Sequence, residues 1–117
     1  MEVLIMHELG ILSSMLKTIE GIMKEENLTH VEKIVLQVGE ISGVLPHYIE
    51  ECYPAAIYKT PFEDMKMEME IVPGIVRCRK CGKEFNAVEM DLRCPCGSVD
   101  LEPLSGREFM IKEIEAY

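Results

Sequence analysis

The sequence predicts an α+β fold in which two helices pack on a three-stranded sheet, with a four-cysteine zinc-ribbon domain inserted before the last strand. Helical and strand-like periodicities alternate along residues 1–73. Residues 74–106 then hold four cysteines and few large apolar side chains. A last strand-like segment is too short to fold alone and is expected to complete the first sheet. The predicted domains are residues 1–73 plus 107–117, and residues 74–106.

The two helices are predicted from apolar spacing and from proline. Apolar residues recur at helical intervals from Leu9 to Met23, and the pattern ends at the charged stretch before Asn27. Pro46 suits the first turn of a second helix, which carries the small apolar Cys52 and is expected to be kinked or shortened by Pro54. Both helices are therefore expected to present one apolar face to the sheet.

Three segments alternate as half-buried strands do. Residues 31–38 place Ile34, Leu36 and Val38 on one face, and residues 66–72 alternate methionine or isoleucine with charged residues. Residues 107–114 supply the third strand. The chain has nine methionines, but their core-facing spacing favours gap-filling in the core over a copper(I) site.

The cysteines of the inserted segment form two pairs, Cys78 with Cys81 and Cys94 with Cys96. A glycine follows each pair, which allows the chain to turn around a thiolate-bound ion. Structural Zn²⁺ would supply the stability that this small apolar core lacks, since apparent zinc binding of roughly 10–16 kcal/mol adds to folding. The single spacer Pro95 still lets both sulfurs reach one ion. The alternatives are a disulfide framework and a redox Cys-x-x-Cys.

Composition limits the remaining classes of function. The formal charge is −9, and residues 74–106 hold five bases and five acids, so a nucleic-acid partner is not expected. No apolar run is long enough to cross a membrane, and residues 1–5 do not resemble a signal peptide. We expect a cytoplasmic protein, monomeric with a dimer as the alternative. We expect no enzyme activity, because four thiolates would close the zinc and no catalytic triad is recognisable.

Several segments together resemble the HypA/HybF family of hydrogenase nickel-insertion proteins. They are the tripeptide Met6-His7-Glu8 before the first helix, the stretch from Val38 to Val44, the cysteine-rich segment ending in Cys94-Pro95-Cys96-Gly97-Ser98, and residues 106–115. The resemblance implies a metallochaperone that binds Ni²⁺ at Met6, His7 and Glu8 and carries structural zinc at Cys78, Cys81, Cys94 and Cys96. It also implies two partners, a maturation GTPase and the large subunit of [NiFe]-hydrogenase. The alternative is a zinc-ribbon adaptor or nucleic-acid-binding module without nickel function.

Two departures from the family pattern concern the metal sites. The pair Cys94-x-Cys96 is shorter than usual, and five residues precede Met6, whereas the family's tripeptide normally starts the chain. A free amine at Met6 could form a five-membered chelate with the next amide nitrogen, so we predict that Met6 is the functional start. Glu8 alone is equally typical of an acid that stabilises the first helical turn. His30 and His47 match no family motif and are predicted to be solvated surface residues.

Overall fold

The computed structural model describes the backbone from Glu2 to Tyr117 and the side chains from His7 onward. The helices are α1 (Glu2–Glu26) and α2 (Pro46–Ile57). The strands are β1 (Val31–Gly39), β2 (Lys66–Val72), β3 (Ile75–Cys78), β4 (Glu84–Asn86), β5 (Leu101–Pro103) and β6 (Phe109–Ala116). The strands form two three-stranded sheets, with orders β2-β1-β6 and β4-β3-β5. The α+β prediction is therefore confirmed, including the return of the last strand to the first sheet.

Helix α1 is longer than its apolar pattern predicted, because it begins at Glu2. Its buried stripe contains Leu12, Met15, Leu16 and Ile19. The helix ends where expected: Asn27 adopts a left-handed conformation, with φ of 55°, and the N–H of Leu28 donates to the carbonyl of Met23 at 2.9 Å. This arrangement satisfies one of the carbonyls that a helix end leaves unpaired.

Helix α2 starts at Pro46 and continues through Pro54 to Ile57. Pro54 therefore does not shorten the helix, and a kink there, the other expectation, stays a prediction. Cys52 is buried in this helix, as its small apolar side chain suggested. The hydroxyl of Tyr53 donates to the carbonyl of Met65 at 2.7 Å, and burial raises the pKa of Tyr53 to about 12.

Strand β1 lies at the centre of the first sheet, between β2 and β6. Ile34, Leu36 and Val38 are fully buried, as the alternation predicted. Val35 on the opposite face is also buried, with 4% of its surface exposed, so the expected two-residue alternation does not hold there. On the neighbouring strands, Glu68 and Glu115 both pair with Lys33, at 2.9 and 3.5 Å.

The second sheet is antiparallel and belongs to the cysteine-rich segment. Strand β3 pairs with β4 through Val76 opposite Phe85, and with β5 through Arg77 opposite Glu102. Arg77 forms ion pairs with Glu84 at 2.9 Å and with Glu102 at 3.4 Å, one on each neighbouring strand. Both strand contacts hold β3 in place up to Cys78, its last residue.

Close contacts divide the chain into two compact units. One comprises residues 1–36, 45–68 and 111–117, and the other comprises residues 37–44 and 69–110. The sequence-based boundaries at residues 73 and 107 remain a prediction. No helix in the part of the chain described here is long and apolar enough to cross a membrane.

Candidate metal centres

The four ribbon cysteines lie together at one end of the second sheet. Cys78 ends β3, Cys81 lies in the turn before β4, and Cys94 and Cys96 lie in the loop before β5. Two turns shape the site. Gly82 donates its N–H to the carbonyl of Cys78, four residues earlier, and Gly97 donates to that of Cys94, three residues earlier, both at 2.8 Å. Both glycines have positive φ, 80° and 94°, a conformation that a side chain would strain. The one-residue spacer therefore gives a turn that is one residue tighter, and that turn is also closed by the glycine after the pair.

The spacing of the sulfurs fits a tetrahedral metal ion. All four Sγ atoms lie within 4.8 Å of one another. Cys78 Sγ is 3.7 Å from Cys96 Sγ, and Cys81 Sγ is 3.5 Å from Cys94 Sγ. Four sulfurs about 2.3 Å from a Zn²⁺ ion would be roughly 3.8 Å apart. A disulfide needs about 2.05 Å, and none of the five cysteines, all of them among the described residues, forms one, so the arrangement favours a metal over a disulfide framework.

The thiols of this cluster differ in acidity. The N–H of Cys81 points to Cys78 Sγ at 3.5 Å, and this contact, aided by the N–H of Lys80, lowers the pKa of Cys78 to about 6. The N–H of Cys96 also favours a Cys94 thiolate, but burial and hydrogen bonds with the neighbouring thiols outweigh it and raise the pKa of Cys94 to about 12. Of these two thiols, Cys78 is therefore the better prepared to bind a metal, since the thiolate is the ligand.

The candidate nickel residues lie inside α1. His7 is exposed, so its imidazole is accessible to an ion from solvent. The side chain of Met6 is outside the described part of the chain. Because α1 begins at Glu2, the amide of His7 lies in the helical segment, where amides normally donate to the carbonyl four residues earlier. The tripeptide was expected before the first helix, whereas the longer helix includes it.

Glu8 is buried, with 1% of its surface exposed. Its Oε2 accepts a hydrogen bond from the N–H of Leu45, the residue before α2, at 3.3 Å. Its Oε1 has no hydrogen-bond partner among the described residues. Sequence reasoning missed this burial, although Glu8 lies four residues before Leu12 and thus continues the buried stripe of α1. A carboxylate at a position of this buried stripe indicates either a hydrogen-bond partner on another element or a functional role.

Three other residues carry side chains that could bind a metal, namely His30, His47 and Cys52. His30 precedes β1 and its ring contacts that of Tyr117, with centroids 5.3 Å apart. His47 lies at the start of α2, where its Nε2 is 3.1 Å from Glu51. Burial, followed by the charges of Glu8 and Glu51, raises the pKa of Cys52. Among the residues from His7 onward, the four ribbon cysteines are the one group of three or more that could hold a metal.

Comparison with known proteins identifies the family. The family model described as hydrogenase/urease nickel incorporation, metallochaperone, hypA matches residues 6–116. The chain belongs to the HypA family. A curated hydrogenase maturation factor HypA of Aquifex aeolicus is 36% identical over 111 residues, covering 94% of this chain and 96% of the relative. That of Geobacter metallireducens is also 36% identical over 111 residues, covering 94% and 98%.

Solved structures agree with this assignment at the level of the fold. The solution structure of the nickel metallochaperone HypA from Helicobacter pylori superposes with a TM-score of 0.66 at 19% identity, covering 93% of this chain and 96% of that one. A second HypA solution structure gives 0.66 at 20% identity, covering 96% and 97%. The predicted family and fold are therefore confirmed.

Proposed function

We propose that this protein binds Ni²⁺ at Met6, His7 and Glu8 and delivers it to the large subunit of [NiFe]-hydrogenase in the cytoplasm, together with the maturation GTPase. The observation that carries the proposal is the exposed imidazole of His7. His7 is the middle residue of the family's tripeptide, which starts at Met6, where the family match also begins. Imidazole is a suitable ligand for Ni²⁺. An exposed site can also release its ion, as delivery requires.

Amide nitrogens could complete a tetragonal, nitrogen-rich ligand set of the kind Ni²⁺ favours. In a chain that starts at Met6, the free amine and the following amide would be available for it. With residues 2–5 in helix α1, the same amide must first leave the helical hydrogen-bond pattern. We therefore propose that Met6 is the functional start and that the longer chain binds nickel more weakly.

Glu8 is proposed to act beside the ion. Its buried carboxylate has one oxygen on the Leu45 N–H and one without a partner among the described residues. An unpaired buried oxygen is costly, and a metal ion or a hydrogen-bond donor brought near it when nickel binds would satisfy it. The burial of Glu8 thus offers a physical link between the metal and the contact of α1 with α2.

The ribbon is proposed to hold structural Zn²⁺ at Cys78, Cys81, Cys94 and Cys96. Zinc would replace the protons of the four thiols and join β3 to the loop that carries the second pair. Four sulfur ligands leave no open position, so we propose a structural ion and no catalytic turnover.

Charge pairing argues against a nucleic-acid-binding ribbon. Arg77 pairs with Glu84 and Glu102, and Arg79 pairs with Asp100 at 3.0 Å. Arg93 donates to the carbonyl of Gly97. Arginines already paired within the protein are poorly available to neutralise phosphates.

The test compares His7→Ala with His30→Ala in equilibrium dialysis against Ni²⁺ after zinc loading. We expect His7→Ala to lose specific nickel binding, and His30→Ala to keep it, with zinc content unchanged in both. Cells carrying only His7→Ala should accumulate nickel-deficient hydrogenase large subunit. Equal nickel affinity of His7→Ala and wild type would exclude the proposed site.

A further inference from the structure

A carboxylate outside both proposed metal sites connects three separate parts of one compact unit. Glu40 directly follows β1, and its Oε1 accepts the N–H of Gly74 at 2.8 Å and the side-chain N–H of Asn86 at 2.9 Å. Its own N–H donates to the carbonyl of Val72 at 2.9 Å. The two side-chain contacts span 34 and 46 residues of sequence, and Glu40, Gly74 and Asn86 belong to the same unit.

Each partner of the Glu40 carboxylate begins a segment that leads to cysteines. Gly74 immediately precedes β3, which ends at Cys78. Asn86 ends β4, and its Oδ1 accepts the N–H groups of Val88 and Glu89 at 2.9 and 3.0 Å. It therefore starts the loop that runs to Cys94. One oxygen of Glu40 thus holds the beginnings of both segments.

The backbone ties these two segments together at the same place. Ala87 donates its N–H to the carbonyl of Gly74 at 2.8 Å, and the carbonyl of Ala87 accepts the N–H of Leu92 at 2.7 Å. Ala87 is fully buried. A side chain at Gly74 would come within 3.0 Å of Ile41, so the backbone approaches this junction closely. A shift of Asn86 would consequently be passed on to the loop before Cys94.

We propose that Glu40 is a positioning residue for the four-cysteine site, acting through Gly74 on the first cysteine pair and through Asn86 on the second. The inference rests on the proposed binding of metal by the four cysteines. Hydrogen bonds from Gly74, first, and from Asn86 lower the pKa of Glu40, so the acceptor is a carboxylate at neutral pH. Charged acceptors form the stronger hydrogen bonds, which suits a group that fixes two donors with one oxygen.

The test measures release of Zn²⁺ from the full chain to a chromogenic chelator, with Co²⁺ absorption as a report of ligand geometry. We expect Glu40→Ala to release zinc about tenfold faster than wild type, the lower end of effects seen when groups supporting metal ligands are removed. Glu40→Gln should release zinc at close to the wild-type rate, because its amide oxygen can accept both hydrogen bonds. Glu89→Ala is the control, since it removes a loop carboxylate without a hydrogen-bond partner among the described residues.

A double-mutant cycle tests whether Glu40 acts through Asn86. Asn86→Ala alone should also accelerate zinc release. In the double variant Glu40→Ala with Asn86→Ala, the increase in the release rate should be smaller than the product of the two single increases, because both substitutions remove the same interaction. Zinc release at the wild-type rate from Glu40→Ala would overturn the proposal, as would a Glu40→Gln variant as fast as Glu40→Ala. If Glu40→Ala fails to fold, the other two variants decide. The proposal then requires zinc release near the wild-type rate from Glu40→Gln and faster release from Asn86→Ala, and it is overturned if either result is not obtained. Failure of wild type to bind Zn²⁺ or Co²⁺ would instead refute the metal site itself.

Discussion

Replacing Glu8 by methionine tests whether the carboxylate of Glu8 serves the stability of the fold or the binding of nickel. Methionine has a similar length and no charge, so Glu8→Met should fill the same space in the stripe of α1. The change removes the Leu45 hydrogen bond, which at 3.3 Å is long for N–H···O and belongs near the lower end of the roughly 1.5–3 kcal/mol assigned to charged acceptors. It also removes the unpaired Oε1, whose burial costs about 1–3 kcal/mol.

These two effects nearly cancel, so the free energy of unfolding of Glu8→Met should lie within about 1 kcal/mol of the wild-type value. Leu12→Ala is the matched comparison one turn along the same buried stripe, and it should lose about 2–5 kcal/mol. The assay is urea unfolding of the zinc-loaded protein followed by circular dichroism, with nickel affinity measured on the same samples. We expect Glu8→Met to keep its stability and to bind nickel more weakly. A loss above about 3 kcal/mol, or unchanged nickel affinity, would refute this reasoning.

Three further predictions concern other parts of the chain. Cys81→Ser should release zinc and unfold the β4-β3-β5 sheet while most α1 helicity remains; heteronuclear NMR would report both, and an intact second sheet without metal would contradict the expectation. Removing residues 109–117 should destabilise the first sheet, because β6 flanks β1; an unchanged urea midpoint would count against this. Tyr53, with its pKa raised to about 12 by burial, should ionise late in an ultraviolet titration, and Tyr53→Phe should lack that step. Since the raised pKa favours the neutral phenol, its contribution to stability is complete below about pH 10 and is lost as pH rises through about 12.

Apolar periodicity was sufficient to predict that the long elements and the last strand exist. The apolar repeat of α1 and the alternation of β2 are local patterns, and the eight-residue β6 had no other sheet to complete. The cysteine cluster was equally accessible, because ligand spacing and a trailing glycine are local features. The short strands β3, β4 and β5 have three or four residues each, too few to show a period.

The contacts of Glu8 and Glu40 could not be derived from local pattern. Glu8 meets Leu45 and Glu40 meets Asn86, pairs that only the folded chain brings together. The early start of α1 was missed because the apolar repeat begins at Leu9, while helix formation extends beyond the residues that pack. The register of Glu8 with Leu12 was the one available signal of its burial.

The close approach of Gly74 and Gly106 also affects how the chain folds. A side chain on Gly106 would lie 2.5 Å from the Cα of Gly74, so the segment between them leaves almost where it enters. Without an ordered ribbon, β6 must find its neighbour across the 36 residues that follow β2, with a loop-closure entropy on the order of 3 kcal/mol. A ribbon that folds around the proposed Zn²⁺ ion would shorten that search to a few residues. Zinc supply during synthesis should therefore set how quickly the nascent chain completes its first sheet.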